Sequence, residues 1–150
     1  MRKMYLSAPL PFVGQKRMFA KEFMKVLEQY PDGTLFVDLF GGSGLLSHIT
    51  KSLKPHSTVI YNDFDNYRFR MKHIPQTNQL LADIREMVGN SVPRHKIIKG
   101  ELRERIFSRI EQEENSTGYV DFITLSSSIL FSMKYKLSVQ DMRKEALYNN

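Results

Sequence analysis

A glycine-rich turn directly after a mostly apolar run is the feature that most constrains this chain. Residues 34–39 form the run, which includes Asp38, and Phe40-Gly41-Gly42-Ser43-Gly44 follows it. Three glycines in four positions oppose both helix and strand formation, which favours a turn with a function over a purely structural one. A strand, a glycine-rich turn and a helix in this order present backbone N–H groups to a nucleoside-bearing cofactor. The pattern therefore predicts a cofactor pocket in an α/β fold.

Two further motifs accompany this turn. Pro11-Phe12-Val13-Gly14-Gln15-Lys16 precedes the first predicted strand, and Tyr61-Asn62-Asp63 closes the second. Together the three motifs resemble those of adenine-specific DNA methyltransferases of the Dam-like group, whose cofactor motifs lie at the N-terminus. The resemblance covers residues 9–66. It implies S-adenosylmethionine as the cofactor, double-stranded DNA as the partner of the complete enzyme, and an incomplete Rossmann-like methyltransferase sheet.

The resemblance also assigns the cofactor-binding residues. It places Lys16 near the methionine carboxylate and Phe12 in the pocket wall, and it matches Asp38 and the 40–44 segment to the family's glycine-rich motif. Gly42 and Gly44 would let the backbone approach the methionine moiety, and Phe40 would give an apolar wall near the adenosine. Asp63 corresponds to the residue that holds the ribose hydroxyls. Capping of the turn is an equally open role for Asp38. For Asp65 two roles are considered, assistance in the pocket and capping of the following helix, and capping is the expected one.

A catalytic loop is missing from this pattern. The six prolines stand at positions 9, 11, 31, 55, 75 and 93, so the chain contains no Asp-Pro-Pro-Tyr sequence. In the family that loop binds the exocyclic amine of a flipped adenine. Residues 124–132 and 143–149 resemble parts of the recognition region that precedes it. We therefore expect the N-terminal portion of a site-specific adenine DNA methyltransferase, inactive alone and without catalytic residues of its own, as a truncated gene or half of a split enzyme.

Two other functions are compatible with the residues. One is a non-catalytic DNA-binding or regulatory module with a degenerate cofactor pocket. The other is a fragment of a nicotinamide-dependent oxidoreductase, because an acidic residue about 20 residues after a glycine-rich turn also holds the ribose in NAD-binding folds. Gly42-x-Gly44-x-x-Ser47 lacks the third glycine of that fold, and Lys16 lies upstream. Both features favour a methyltransferase.

Composition sets broader limits. The chain of 150 residues has a formal charge of +6, which suits a partner that carries phosphates. It has no cysteine, and its four histidines show no close ligand spacing, so no metal site is expected. Without a signal-like or membrane-spanning segment, a cytoplasmic protein is expected. Most basic residues are expected to be solvated; the candidates for phosphate contacts are Arg68, Arg70, Lys72, Arg94, Lys96 and Lys99.

Hydrophobic periodicity predicts the elements of the first part, assigned to residues 1–66. A helix is expected over residues 17–30, a strand over 34–39, a helix over 43–53 and a strand over 58–61. The first strand is nearly all apolar, as is typical of a central parallel strand covered on both faces.

A mainly helical, partial target-recognition region is expected over residues 67–150. Helices are predicted at 66–72, 78–88, 101–114 and 138–148, the last with Ser138 as its N-cap. A loop is predicted over 113–118, a possible third strand over 119–125, and an apolar segment of undefined type over 126–133.

An incomplete sheet has a further consequence. Unpaired strand edges and bare apolar surface favour association with other chains. We therefore expect either self-association into a dimer or larger assembly, or association with a C-terminal half of the enzyme.

Overall fold

The computed structural model of the chain describes residues 4–14, 16–131 and 134–150. Gln15 of the first motif, and Ser132 and Met133 of the apolar segment, lie outside the described residues. The chain divides into two compact units, residues 1–71 and 72–150. No helix in the described part is long and apolar enough to cross a membrane.

The first unit contains the predicted strand, helix, strand order. A 3₁₀ turn at Lys16–Phe19 leads into α1 (Ala20–Glu28), followed by β1 (Leu35–Asp38), α2 (Leu45–Leu53), β2 (Thr58–Tyr61) and α3 (Tyr67–Lys72). The two strands pair in parallel, with Leu35 opposite Thr58 and Asp38 opposite Tyr61. Because parallel strands end at the same edge of a sheet, the glycine-rich turn and the segment after Tyr61 lie side by side.

Among the described residues of the first unit, helices α1 and α2 both pack on the same face of this sheet. Side chains alternate along a strand, and Phe36 of β1 points to the face where α1 and α2 pack. Leu35 and Val37 point the other way and are 59% and 52% exposed. The expectation that β1 is covered on both faces is therefore wrong. The physical reason is that both helices flanking β1 in sequence pack on the Phe36 side.

The second unit is mainly helical, as predicted. It contains α4 (Ile74–Val88), β3 (Ile97–Ile98), α5 (Gly100–Thr117), α6 (Phe122–Ile129), α7 (Val139–Arg143) and β4 (Leu147–Tyr148). The two short strands pair antiparallel. Its core is a single cluster whose fully buried members include Ile98, Ile106, Phe107, Ile110, Leu125, Met142 and Leu147.

The strand predicted over residues 119–125 is wrong, because α6 begins at Phe122. The Asp121 carboxylate accepts a hydrogen bond from the backbone N–H of Thr124 at 3.1 Å, and this cap starts the helix. The loop predicted over 113–118 is also wrong. Helix α5 continues to Thr117, and Gly118, with φ at +71°, ends it in the left-handed conformation.

The last predicted helix is correct at its start and wrong at its end. The Ser138 hydroxyl accepts from the backbone N–H of Asp141 at 3.2 Å, so the predicted cap is confirmed. The helix ends at Arg143, and Leu147–Tyr148 instead pair with Ile97–Ile98. Pairing with a distant strand overrides the local helical pattern there. The chain as a whole is a mixed α/β protein with a small parallel sheet.

Candidate cofactor site

A cavity of about 360 Å³ lies at the carboxyl ends of β1 and β2. Its volume is at the lower end of the range for small-molecule sites. Phe12, Lys16, Phe40 and Gly42 of the predicted site line it. Its wall also contains residues that the sequence did not single out as binding residues, among them Leu39, Asn62, Phe64 and Asp65.

The glycine-rich turn is fitted between two aromatic rings. A Cβ atom on Gly41 would lie 2.1 Å from the Tyr61 ring and 2.6 Å from the carbonyl oxygen of Asn62. Gly42 has a φ of +51°, and a Cβ there would lie 3.0 Å from the Phe12 ring. The Tyr61 hydroxyl donates to the Gly42 carbonyl at 2.6 Å. The turn therefore needs glycine for packing inside the protein, a requirement that the sequence interpretation had assigned to the cofactor alone.

Lys16 brings a cation to the cavity. Its ammonium group donates to the Phe40 carbonyl, and its Nζ lies 4.0 Å from Oδ1 of Asp38. The other carboxylate oxygen of Asp38 accepts from the Ser47 hydroxyl at 2.7 Å. Asp38 is largely buried and does not line the cavity. Of its two open roles, the geometry favours fastening the turn to α2 and Lys16.

Asp63 and Asp65, the two aspartates after β2, lie where the other was expected: one at the start of α3 and one at the cavity. Asp63 Oδ1 accepts from the backbone N–H of Tyr67 at 2.7 Å, and its Oδ2 accepts from that of Arg68 at 3.0 Å. Asp63 therefore caps α3 and does not line the cavity, whereas Asp65, the expected cap, does. Both lie between β2 and α3, and local sequence does not determine which of the two carboxylates turns toward the helix. The ribose role of Asp63 stays a prediction.

Tyr61 is held as a hydrogen-bond donor. Burial, its hydrogen bond with Asp63 and the nearby carboxylates of Asp38 and Asp65 all raise the pKa of its hydroxyl well above the ordinary value. The protonated hydroxyl carries one hydrogen, which is shared between two acceptors, the Gly42 carbonyl at 2.6 Å and Asp63 Oδ1 at 3.0 Å; the Gly42 contact is the shorter. Tyr61 thus links the end of β2 to the turn after β1.

A second cavity, of about 620 Å³, also lies in the first unit. Gly44 of the predicted site lies in its wall, together with Tyr5, His48, Tyr67 and Arg68. His48 Nε2 accepts from the backbone N–H of Tyr5 at 3.0 Å, which fastens the N-terminal segment to α2. This cavity is larger, but the first one contains Lys16 and the rings of Phe12 and Phe40. The first is therefore the better candidate for a charged nucleoside cofactor.

The basic residues separate into structural and exposed groups. Arg70 is buried and donates from Nη2 to the Pro11 carbonyl at 2.8 Å, so it holds the first motif in place and is not available to phosphates. Arg94, Lys96 and Lys99 are exposed, and in the part of the chain that the structure describes no carboxylate pairs with them. They remain candidates for phosphate contacts.

Comparison with known proteins finds similarity to a protein named as a methyltransferase. The chain is 41% identical over 152 aligned residues to a Haemophilus influenzae protein named "Putative methyltransferase". The chain is similar to a methyltransferase. The alignment covers 99% of this chain and 50% of that relative, so the chain spans about half the relative's length. No family model and no solved structure matches the chain.

Proposed function

We propose that this chain is the cofactor-binding portion of an S-adenosylmethionine-dependent methyltransferase that acts on adenine in DNA. The observation that carries the proposal is the cavity at the strand ends, where Phe12, Lys16, Phe40 and Gly42 of the sequence motifs converge. The similarity to the Haemophilus protein supports methyl transfer in general. Adenine in DNA as the substrate rests on the resemblance of the three motifs.

The residues of the cavity fit the chemical groups of this cofactor. The Lys16 ammonium group would bind the methionine carboxylate, and its link to Asp38 keeps it at the cavity. Phe40 and Phe64 are 80% and 85% exposed and line the cavity, so they offer ring surfaces to the adenine. We assign the ribose hydroxyls to Asp65 in place of Asp63, because Asp65 lines the cavity whereas both carboxylate oxygens of Asp63 accept from N–H groups of α3. When bound, S-adenosylmethionine supplies a methyl group activated by its sulfonium.

For DNA binding, we propose contacts between basic side chains and phosphates, and we assign no residue to recognition of the bases. Arg94, Lys96 and Lys99 lie within six consecutive residues and are all exposed. Such groups neutralise phosphates and position a duplex without reading its sequence. Since the chain has no Asp-Pro-Pro-Tyr sequence, we propose that it binds cofactor and contacts DNA but does not methylate alone.

Calorimetric titration with S-adenosylmethionine and S-adenosylhomocysteine tests this proposal. The chain is expected to bind both, and Lys16→Gln is expected to weaken binding about tenfold or more, because an ionic hydrogen bond is lost. Lys21→Gln, at an exposed position of α1, is the matched control and should bind like the unaltered chain. Failure of the folded chain to bind either compound, or binding of NADH instead, would overturn the proposal.

DNA binding separates the proposal from a non-catalytic module. Affinity for a duplex should fall with salt and with the Arg94→Ala/Lys96→Ala double variant. If the chain is a methyltransferase portion, cofactor should change its affinity for DNA, and Lys16→Gln should remove that change. DNA binding that neither cofactor nor Lys16→Gln alters would favour the regulatory module.

A further inference from the structure

One face of the parallel sheet is an uncharged, exposed apolar surface. Leu35, Val37 and Ile60 are 59%, 52% and 51% exposed. Val37 lies opposite Ile60 and Leu35 lies opposite Thr58, so the four side chains stand together on the face away from α1 and α2. We call these four residues the bare face. Three of the four are apolar and none carries a charge, so a largely apolar surface matches them best.

The edges of the same sheet are also open. Within the described residues, β1 and β2 pair only with each other, which leaves one unpaired edge on each strand. Parallel sheets occur almost only with both faces covered and with more strands than two. Further parallel strands would pair with the two open edges. The helices that connect such strands would cover the bare face.

We propose that the bare face and the open edges receive a polypeptide equivalent to the half of the Haemophilus relative that this chain does not span. The match covers 99% of this chain and half of the relative's length, so about as many residues as this chain contains lie outside the match and could supply strands and covering helices. The inference rests on the proposed function for the identity of that partner. Its physical basis, a parallel sheet with one bare face and two open edges, does not depend on the cofactor.

A second copy of the chain is a poorer occupant. Two copies related by a two-fold axis pair identical edges, which run antiparallel, and leave the other edge of each sheet open. Stacking two bare faces would cover the apolar side chains but would leave every edge unpaired. A different polypeptide with several strands covers the face and both edges at once.

Co-expression tests the proposal directly. The tagged chain is produced together with the unmatched half of the Haemophilus relative, and the purified material is examined by sedimentation. A one-to-one complex is expected. Val37→Asp and Ile60→Lys should each weaken it about tenfold or more, because each places a charge in an apolar interface. Val26→Asp, the same change at a 48% exposed position of α1, should leave it intact.

A single-chain chimera tests the same interface without requiring two separate chains to associate. In it, this chain replaces the matched half of the relative. Val37→Asp should lower the Tm of the chimera by about 5 °C or more, since the site is then buried. In the chain alone the same change should alter the Tm little, because Val37 is already exposed.

The outcomes separate this inference from the proposed function. Absence of a complex, a complex insensitive to both bare-face variants, a homodimer that Val37→Asp disrupts, or an equal Tm change in chimera and chain would each overturn the inference. Cofactor binding by the chain alone would then still support the proposed function. Conversely, a bare-face complex that binds no S-adenosylmethionine would uphold the docking surface and reject the cofactor.

Discussion

The Tyr61 hydroxyl donates a 2.6 Å hydrogen bond to the carbonyl oxygen of Gly42. This bond joins the end of β2 to the turn after β1, and it places the Tyr61 ring where a side chain on Gly41 would have to be. The candidate cofactor cavity is built on that contact, because Gly41 and Gly42 both line it. The shape of the cavity thus depends on a residue that does not itself line it.

Gly41→Ala should therefore disrupt the cavity. A methyl group 2.1 Å from the Tyr61 ring and 2.6 Å from the Asn62 carbonyl forces the turn or the ring to move. Overpacking of this kind costs about 1–3 kcal/mol of unfolding free energy. Calorimetric titration should show binding of S-adenosylmethionine lost, and urea unfolding should show the lower stability. Gly33→Ala, where a Cβ meets nothing within 4 Å, adds only backbone strain and should keep binding.

Asp63 should contribute mainly to stability, and Asp65 mainly to cofactor binding. Asp63→Ala removes the cap of α3 and is expected to lower the unfolding free energy by about 1 kcal/mol. Asp65→Ala should leave stability nearly unchanged and weaken S-adenosylmethionine binding about tenfold, because Asp65 lines the cavity. Thermal melts and calorimetry on both variants measure the two effects. Loss of affinity at unchanged stability in Asp63→Ala, and not in Asp65→Ala, would instead support the family assignment.

The contribution of Phe107 to stability should depend in part on its contacts with two arginines. Its fully buried ring contacts the guanidinium groups of Arg103 and Arg143, whose central carbons are 4.6 and 4.5 Å from the ring centroid. Phe107→Leu keeps most of the apolar volume but removes the ring, and should cost about 1–2 kcal/mol. Phe122→Leu, at the edge of the same core, is the control. Equal losses of unfolding free energy in the two variants would argue against a cation–π contribution.

Low pH should lower the unfolding free energy through ion pairs of the second unit. The hydrogen bond from Lys134, followed by that from Lys136, lowers the pKa of Glu145, and the hydrogen bond from Arg143 lowers that of Glu104. A carboxylate with a lowered folded-state pKa stabilises the protein fully above its unfolded pKa of about 4.3. That stabilisation is lost as the pH falls from there through the folded value. Urea unfolding between about pH 6 and 3 should show the decline.

Two further measurements test the origin of this decline. Glu145→Gln should flatten it slightly, and added salt should reduce it, because these pairs lie at the surface. An unfolding free energy that stays constant over the same pH interval would contradict the expected linkage.

Sequence patterns were sufficient wherever structure depends on near neighbours. An apolar run, a glycine cluster and a proline-containing break predicted β1, α2 and β2 within one or two residues. Ser138 was correctly identified as a cap because its hydroxyl bonds to the backbone three residues ahead. Patterns failed where a distant partner decides, as at Leu147–Tyr148, which pair with residues about 50 positions earlier in the chain.

The sequence by itself determined that a parallel β-α-β unit brings Lys16, the glycine-rich turn and an acidic segment to one edge of a sheet. Only the tertiary structure decided which aspartate faces the cavity, why Gly41 must be glycine, and which sheet face is bare. Each of these depends on where a side chain points relative to atoms far away in the chain. Local propensity fixes the backbone path, whereas packing against Tyr61, α2 and α3 fixes the direction of the side chains.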